Sequence, residues 1–219
     1  FVRRDFPGDT NQVAIVGVMD SGIETDHSDL NIWSWGWDCT PAGDPWSDNN
    51  GATNRGHGTH VAGTLLGRGV TKPDLLGVAP GLASWGGTSR LFILRRFADE
   101  GACTWALDAT IDKFQSPVTD GAGNTTARPH LITNSWGFNS PPAGGFTGTE
   151  SQARSFDTAV YGDDQVWLFC AGNSGPGASA IWGGASSKNS LAVGNVPDRI
   201  DTTGDPANIC TDRLIGSIA

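Results

Sequence analysis

Val13-Ala14-Ile15-Val16-Gly17-Val18-Met19-Asp20 is apolar at nearly every position until it ends on a carboxylate. A strand with one solvated face alternates apolar and polar residues, whereas a strand buried on both faces of a parallel sheet does not. The run therefore predicts a central parallel strand. Working outward, similar runs recur at Leu91-Phe92-Ile93-Leu94, Leu131-Ile132-Thr133, Val166-Trp167-Leu168-Phe169 and Leu191-Ala192-Val193, each separated from the next by enough chain for a crossover. Helical spacing fills several of the gaps: His60 to Leu66, Thr104 to Phe114 and Ser151 to Tyr161. Strand and helix in alternation predict an α/β fold, doubly wound, with a mostly parallel central sheet and helices on both faces. Functional groups then belong just past the carboxyl ends of strands, where Asp20 stands.

With 219 residues the chain suits one domain spanning 1–219. Fourteen basic against 23 acidic side chains give a net charge of −9 with no basic run, which excludes nucleic acid as a partner. The apolar runs fall far short of the ~20 residues of a membrane span. Acidity, 31 glycines and nine tryptophans lean toward a secreted, loop-rich protein. The opening Phe1-Val2-Arg3-Arg4 has neither an initiator Met nor a charged-then-apolar leader, so the chain is expected to be a processed or excised piece. Cys39, Cys103, Cys170 and Cys210 never form C-x-x-C, which argues against a zinc ribbon or a redox dithiol. Cys170 reads as a small buried hydrophobe, and one disulfide among the other three is open, its pairing undetermined.

Three motifs carry chemistry. Met19-Asp20-Ser21-Gly22-Ile23 sets an acid after the most apolar strand; buried there, it needs a hydrogen-bonding partner, although alone it also reads as a helix N-cap. Arg55-Gly56-His57-Gly58-Thr59-His60-Val61-Ala62-Gly63-Thr64 runs a Gly-rich turn into a helix of small residues, and a histidine at such a turn can serve as a general base. The spacing His57-x-x-His60 also fits two metal ligands, but no acidic partner accompanies it. Phe169-Cys170-Ala171-Gly172-Asn173-Ser174-Gly175 ends another buried strand with an amide able to donate to an oxyanion, or with an ordinary turn residue. Asp38, Asp44, Asp48, Asn49 and Asn50 read as a solvated acidic loop, with a hard cation as the rival; Asp198, Asp201 and Asp205 are weaker.

In this order the three blocks, together with Gly77-Val78-Ala79-Pro80 and Asn134-Ser135-Trp136-Gly137, resemble the subtilase family of serine peptidases over roughly residues 13 to 195. The resemblance implies a serine endopeptidase with Asp20 as orienting acid, His57 as general base and Asn173 as oxyanion donor, leaving His60 structural. It also implies that Ser135, Trp136 and Gly137 form one wall, and Ala171 and Gly172 the other, of the pocket for the residue before the scissile bond, through backbone groups that pair with an extended peptide. A large apolar residue is the expected occupant. Asp29, in His27-Ser28-Asp29-Leu30, matches a position that in the family often ligates a structural calcium; the chemistry itself requires no cofactor.

The family's nucleophile opens a buried helix in a Gly-Thr-Ser-Met-Ala-type motif, and this chain ends before it, at Gly216-Ser217-Ile218-Ala219. Gly87-Thr88-Ser89 holds the right tripeptide, but bulky Arg90-Leu91-Phe92-Ile93-Leu94 follows, which reads as a strand. The domain is thus expected to be truncated C-terminally and inactive alone. Its expected partners are a polypeptide substrate, the remaining segment with the serine, and a pro-segment. The rival reading is a non-catalytic split or degenerate subtilase that acts by binding.

Overall fold

The structure, a computed structural model, describes residues 14–24, 26–30, 35–41, 43–48, 56–80, 91–98, 101–119, 125–126, 128–138, 140–173 and 181–194. Its elements are β1 (Val16–Asp20), β2 (Trp35–Asp38), α1 (His57–Leu66), β3 (Leu91–Arg95), β4 (Phe97–Ala98), β5 (Gly101–Ala102), α2 (Leu107–Gln115), β6 (Val118–Thr119), β7 (Thr125–Thr126), β8 (Leu131–Asn134), α3 (Ser151–Asp163), β9 (Val166–Cys170) and β10 (Leu191–Val193). The chain forms two compact units, Phe1–Thr133 and Asn134–Ala219.

In the first unit β2, β3, β1 and β8 pair side by side, all parallel, with Gly17 opposite Phe92 and Ile132. Alternate residues explain why β1 lacks a polar face. Val16, Val18, Leu91 and Ile93 join Ala62 and Leu66 of α1 in one buried cluster. Gly17 faces the other way: a Cβ there would stand 2.9 Å from the Phe114 ring of α2. Phe92 and Phe114 both meet Trp37 of β2, with ring centroids 5.9 and 6.0 Å apart. The sheet is thus covered by a helix on each face, as the continuous apolar run of β1 requires. The strand β2 was not legible as one, because Trp35-Gly36-Trp37 is half-buried and lacks an aliphatic core run.

The short pairs β4–β5 and β6–β7 are antiparallel hairpins. A disulfide joins Cys39, just after β2, to Cys103, just after β5, which settles the open pairing; Cys210 lies outside the described residues. Cys170 is half-buried rather than enclosed.

In the second unit β9 and β10 pair in parallel. The α3 helix turns Phe156 inward, and its ring lies 4.5 Å from Phe169, 5.4 Å from Trp167 and 6.4 Å from Trp136, centroid to centroid. Phe156 is fully buried at the hub of this aromatic core. Its replacement should therefore leave a cavity that rigid indoles cannot fill: Phe156→Ala is expected to cost about 3–5 kcal/mol in urea denaturation, and a cost below about 1 kcal/mol would mean that this packing is not the one present.

Candidate active site

Asp20 ends β1 and is 2 % exposed. Its Oδ1 accepts the backbone N–H of Ser21 at 2.8 Å and His57 Nδ1 at 2.6 Å. A carboxylate only accepts, so Nδ1 carries the proton and the neutral imidazole keeps its lone pair on Nε2. Oδ2 is enclosed without a hydrogen-bond partner among the described residues, so the acid depends on what reaches Oδ1. His57 opens α1, and two glycines let the helix start approach the strand end. A Cβ on Gly58 would run into the Gly22 carbonyl and stand 3.2 Å from Asp20 Cβ. Gly22 has φ +106°, and a Cβ there would run into the Ser47 carbonyl. The partner that burial demanded of Asp20 is therefore His57.

A second carboxylate stands behind the first. Asp48 is 1 % exposed, and its Oδ1 lies 2.6 Å from Ser21 Oγ, itself 3.2 Å from Asp20 Oδ1. Asp48 Oδ2 accepts the backbone N–H of Thr59 at 2.8 Å and its hydroxyl at 2.6 Å. The Asp48 backbone donates to Glu24 Oε1 at 2.9 Å and accepts from Gly56 N–H at 3.1 Å. The loop that delivers Asp48 is fastened along its length. Asp38 accepts the amides of Thr40 and Asp44, at 2.6 and 2.8 Å. Buried Arg95 reaches the Asp44 carbonyl at 3.0 Å and Asp38 Oδ2 at 3.5 Å.

The acidic loop is thus only partly solvated over its described part: Asp44 is exposed, whereas Asp48 and the Asp38 carboxylate are buried among protein donors; Asn49 and Asn50 lie outside it. Sequence reasoning missed this role of Asp48, and the only signal available was its position shortly before the histidine block. The weaker trio Asp198, Asp201 and Asp205 lies outside the described residues.

The charges act in one direction on the imidazole. The Asp20 hydrogen bond holds the His57 pKa above its ordinary value of 6.5 against the opposing effect of burial, and the negative charges of Asp20 and Asp48 add to it. Burial raises the Asp48 pKa, with Asp20 nearby adding to the rise, although Ser21 and Thr59 donate to it.

The second unit holds the remaining candidates. Trp136 sends its indole into the core beside Phe138, Phe156 and Phe169, while Ser135 and Gly137 are half-buried. Ala171 is buried after β9, and Asn173 is exposed two residues on. Trp182, which the sequence did not single out, lies against both predicted walls. A Cβ on Gly137 would stand 2.8 Å from Trp182 Cβ, and one on Gly172 2.5 Å from Trp182 Cδ1. Trp182 N–H donates to the Ala171 carbonyl at 3.0 Å, and Gly183 N–H to that of Phe138 at 3.1 Å. Ser174 and Gly175 lie outside the described residues.

Asp29 is already engaged by protein donors. Its Oδ1 accepts Val70 N–H at 2.5 Å, and Arg68 Nη2 donates to the Ser28 carbonyl at 2.6 Å. A guanidinium thus occupies the neighbourhood where a calcium would need bare oxygens, so the described donor set does not fit that metal. His60 is exposed, and among the described residues no three His, Cys, Asp or Glu side chains are grouped to hold a metal ion. Nor is any described helix long and apolar enough to cross a membrane.

Comparison with known proteins adds to this geometry. A family model described as the subtilase family matches residues 11–211. The chain is 25% identical over 187 residues to a subtilisin of Bacillus sp. (strain TA39), covering 85% of this chain and 40% of that protein. It is 29% identical over 191 residues to a subtilisin of Bacillus pumilus, covering 86% and 58% respectively. It therefore spans less than two thirds of either relative. Among solved structures, the S41 psychrophilic protease superposes with a TM-score of 0.57 at 28% identity, over 85% of this chain and 54% of that one. The subtilisin-like protease Apa1 from the Antarctic psychrotroph Pseudoalteromonas sp. AS-11 gives 0.58 at 23%, over 83% and 36%, a likeness of fold.

The raised His57 pKa has a signed consequence. The imidazolium–Asp20 pair contributes stability that is fully present below the ordinary histidine value and is lost as pH rises through the folded one. NMR titration should find the His57 midpoint above 6.5, and Asp20→Asn should bring it down; a midpoint indifferent to Asp20→Asn would separate the two side chains in solution.

Proposed function

We propose that this chain, which belongs to the subtilase family, supplies the acid and base of a serine endopeptidase triad. The observation that carries the reading is the 2.6 Å contact between His57 Nδ1 and Asp20 Oδ1 at the carboxyl end of β1. Held in that tautomer, His57 presents Nε2 to take the proton of a serine hydroxyl as it attacks the scissile carbonyl. Asp20 orients the ring and stabilises the imidazolium that forms. His57 then returns the proton to the leaving amine. Asn173 is the donor to the oxyanion of the tetrahedral intermediate, with a rate contribution of about 10²- to 10³-fold, a magnitude that the general case takes from subtilisin itself. The backbone of Ser135-Trp136-Gly137 and Ala171-Gly172 pairs with the extended peptide.

The nucleophile is assigned to polypeptide beyond residue 219. Ser89 lies outside the described residues, but the segment that follows it is β3, buried at every position, not a helix of small residues. The Cys39–Cys103 disulfide suits the secreted, oxidising setting in which such enzymes digest polypeptides. A pro-segment belongs to the same proposal.

Trp182 sets the proposed specificity. Because its indole lies against both Gly137 and Gly172, Trp182 is proposed to narrow the pocket between the two walls, so that a small residue before the scissile bond is preferred to a large apolar one.

Two experiments test these statements. A fluorophosphonate probe should leave residues 1–219 unlabelled and give one adduct, lost in His57→Ala, on the longer protein; an adduct at Ser89 in the shorter chain would overturn the assignment. In the longer protein Trp182→Gly should raise kcat/KM for Phe over Ala before the scissile bond by about tenfold or more. An unchanged ratio would place that side chain elsewhere.

A further inference from the structure

The Asp20–His57 pair contains two of the side chains that meet at the end of β1, and the others are not idle packing. Ser21 Oγ has one hydrogen and two lone pairs. Gly58 N–H, from the first turn of α1, donates to it at 2.9 Å. Its own hydrogen has two carboxylates to choose from, Asp48 at 2.6 Å and Asp20 at 3.2 Å, and the shorter contact takes it. Asp48 meanwhile receives both donors of Thr59, two residues after His57. Its backbone carbonyl receives Gly56 N–H, one residue before. Thr59 Oγ1 also accepts the Glu24 N–H at 3.0 Å. One buried carboxylate thus grips the backbone on either side of the base and, through one hydroxyl, reaches the acid.

We propose that Asp48 is a positioning residue for the Asp20–His57 pair: it fixes the start of α1 against the end of β1 and draws the Ser21 hydroxyl proton away from Asp20, so that Asp20 Oδ1 is left to His57. This rests on the proposed catalytic role of the pair but concerns a residue that touches neither substrate nor serine. The effect on Asp20 follows from counting donors. With Oδ2 lacking a described partner, Oδ1 carries the acid's hydrogen bonding, and each further donor there weakens its hold on the imidazolium. Removing the Asp48 charge should do two things of the same sign: release the Ser21 hydroxyl to Asp20, and remove a negative charge that favours the imidazolium. Among the described residues the charged groups near the ring are Asp20 and Asp48, with Glu24 behind Asp48 and the Arg95 stem behind Gly22.

The test is NMR titration of His57 in the chain itself, without substrate. Asp48→Asn, isosteric and still able to accept from Thr59, should move the His57 midpoint to lower pH by less than Asp20→Asn does. Ser21→Ala keeps Asp48 and its grip on Thr59 but removes the bridge. With no hydroxyl left to donate to Asp20, the His57 midpoint of this variant should not fall, and a fall as large as that of Asp20→Asn would contradict the proposal even if the asparagine variant fails to fold. Where that variant folds, a further Asp48→Asn change in the Ser21→Ala background should move the midpoint less than in the wild type. A His57 midpoint unmoved by Asp48→Asn in a folded protein, or moved equally with and without Ser21, would reduce Asp48 to a structural residue. Failure of fluorophosphonate labelling in the longer protein would instead overturn the protease reading, and the titration would be unaffected.

Discussion

A carboxylate at the end of a strand buried on both faces cannot be left without donors, because desolvating a charge costs more than the surrounding apolar contacts return. Asp20 is in that position, and much of the first unit is explained by the need to satisfy it. The strand has to be apolar throughout for the sheet to take a helix on each face. The helix that brings the imidazole has to begin almost in contact with the strand end, which excludes a Cβ at Gly58 and at Gly22. At Oδ1 the donors that this closeness supplies are protein groups, the Ser21 N–H and His57 Nδ1.

The same constraint explains the chain between β2 and α1. Its acidic side chains look like a surface loop because each, taken alone, is a polar residue among turn formers. Folded, Asp38 accepts backbone amides, Arg95 is buried against Asp38 and the Asp44 carbonyl, and a disulfide anchors the loop's first residue. These fastenings bring Asp48 to the helix start without exposing it to water. A buried Arg and Asp on adjacent strands add little net stability in general; here their consequence is the fixed position of a loop.

What the sequence revealed follows the range of the signals. β1 and β3 were legible because continuous apolar runs report burial on both faces. The same kind of run marked β8, β9 and β10, although β8 and β9 are buried only at alternate residues and β10 is exposed. α1 to α3 were legible from their spacing, with boundaries moved by a few residues, as in β1, which begins at Val16. The motifs around Asp20 and His57 pointed to a pair because a buried acid needs a partner. β2 was missed because its glycine and tryptophans carry no period. Asp48 and Trp182 were missed for a different reason: each acquires its role only from residues distant in the chain, Ser21 and Asp20 in one case and Gly137 in the other. The donors that reach Asp29 were out of sight for the same reason, since Arg68 lies 39 residues further along the chain.

The central claim is that buried Asp20 receives the Nδ1 proton of His57. Proton NMR of the chain with ¹⁵N-labelled histidine, at a pH below the His57 midpoint, addresses it without reference to catalysis. The account predicts one of the four imidazoles to show a slowly exchanging Nδ1 proton at strongly low field, absent from Asp20→Asn. Four imidazoles with ordinary shifts and fast exchange would contradict it.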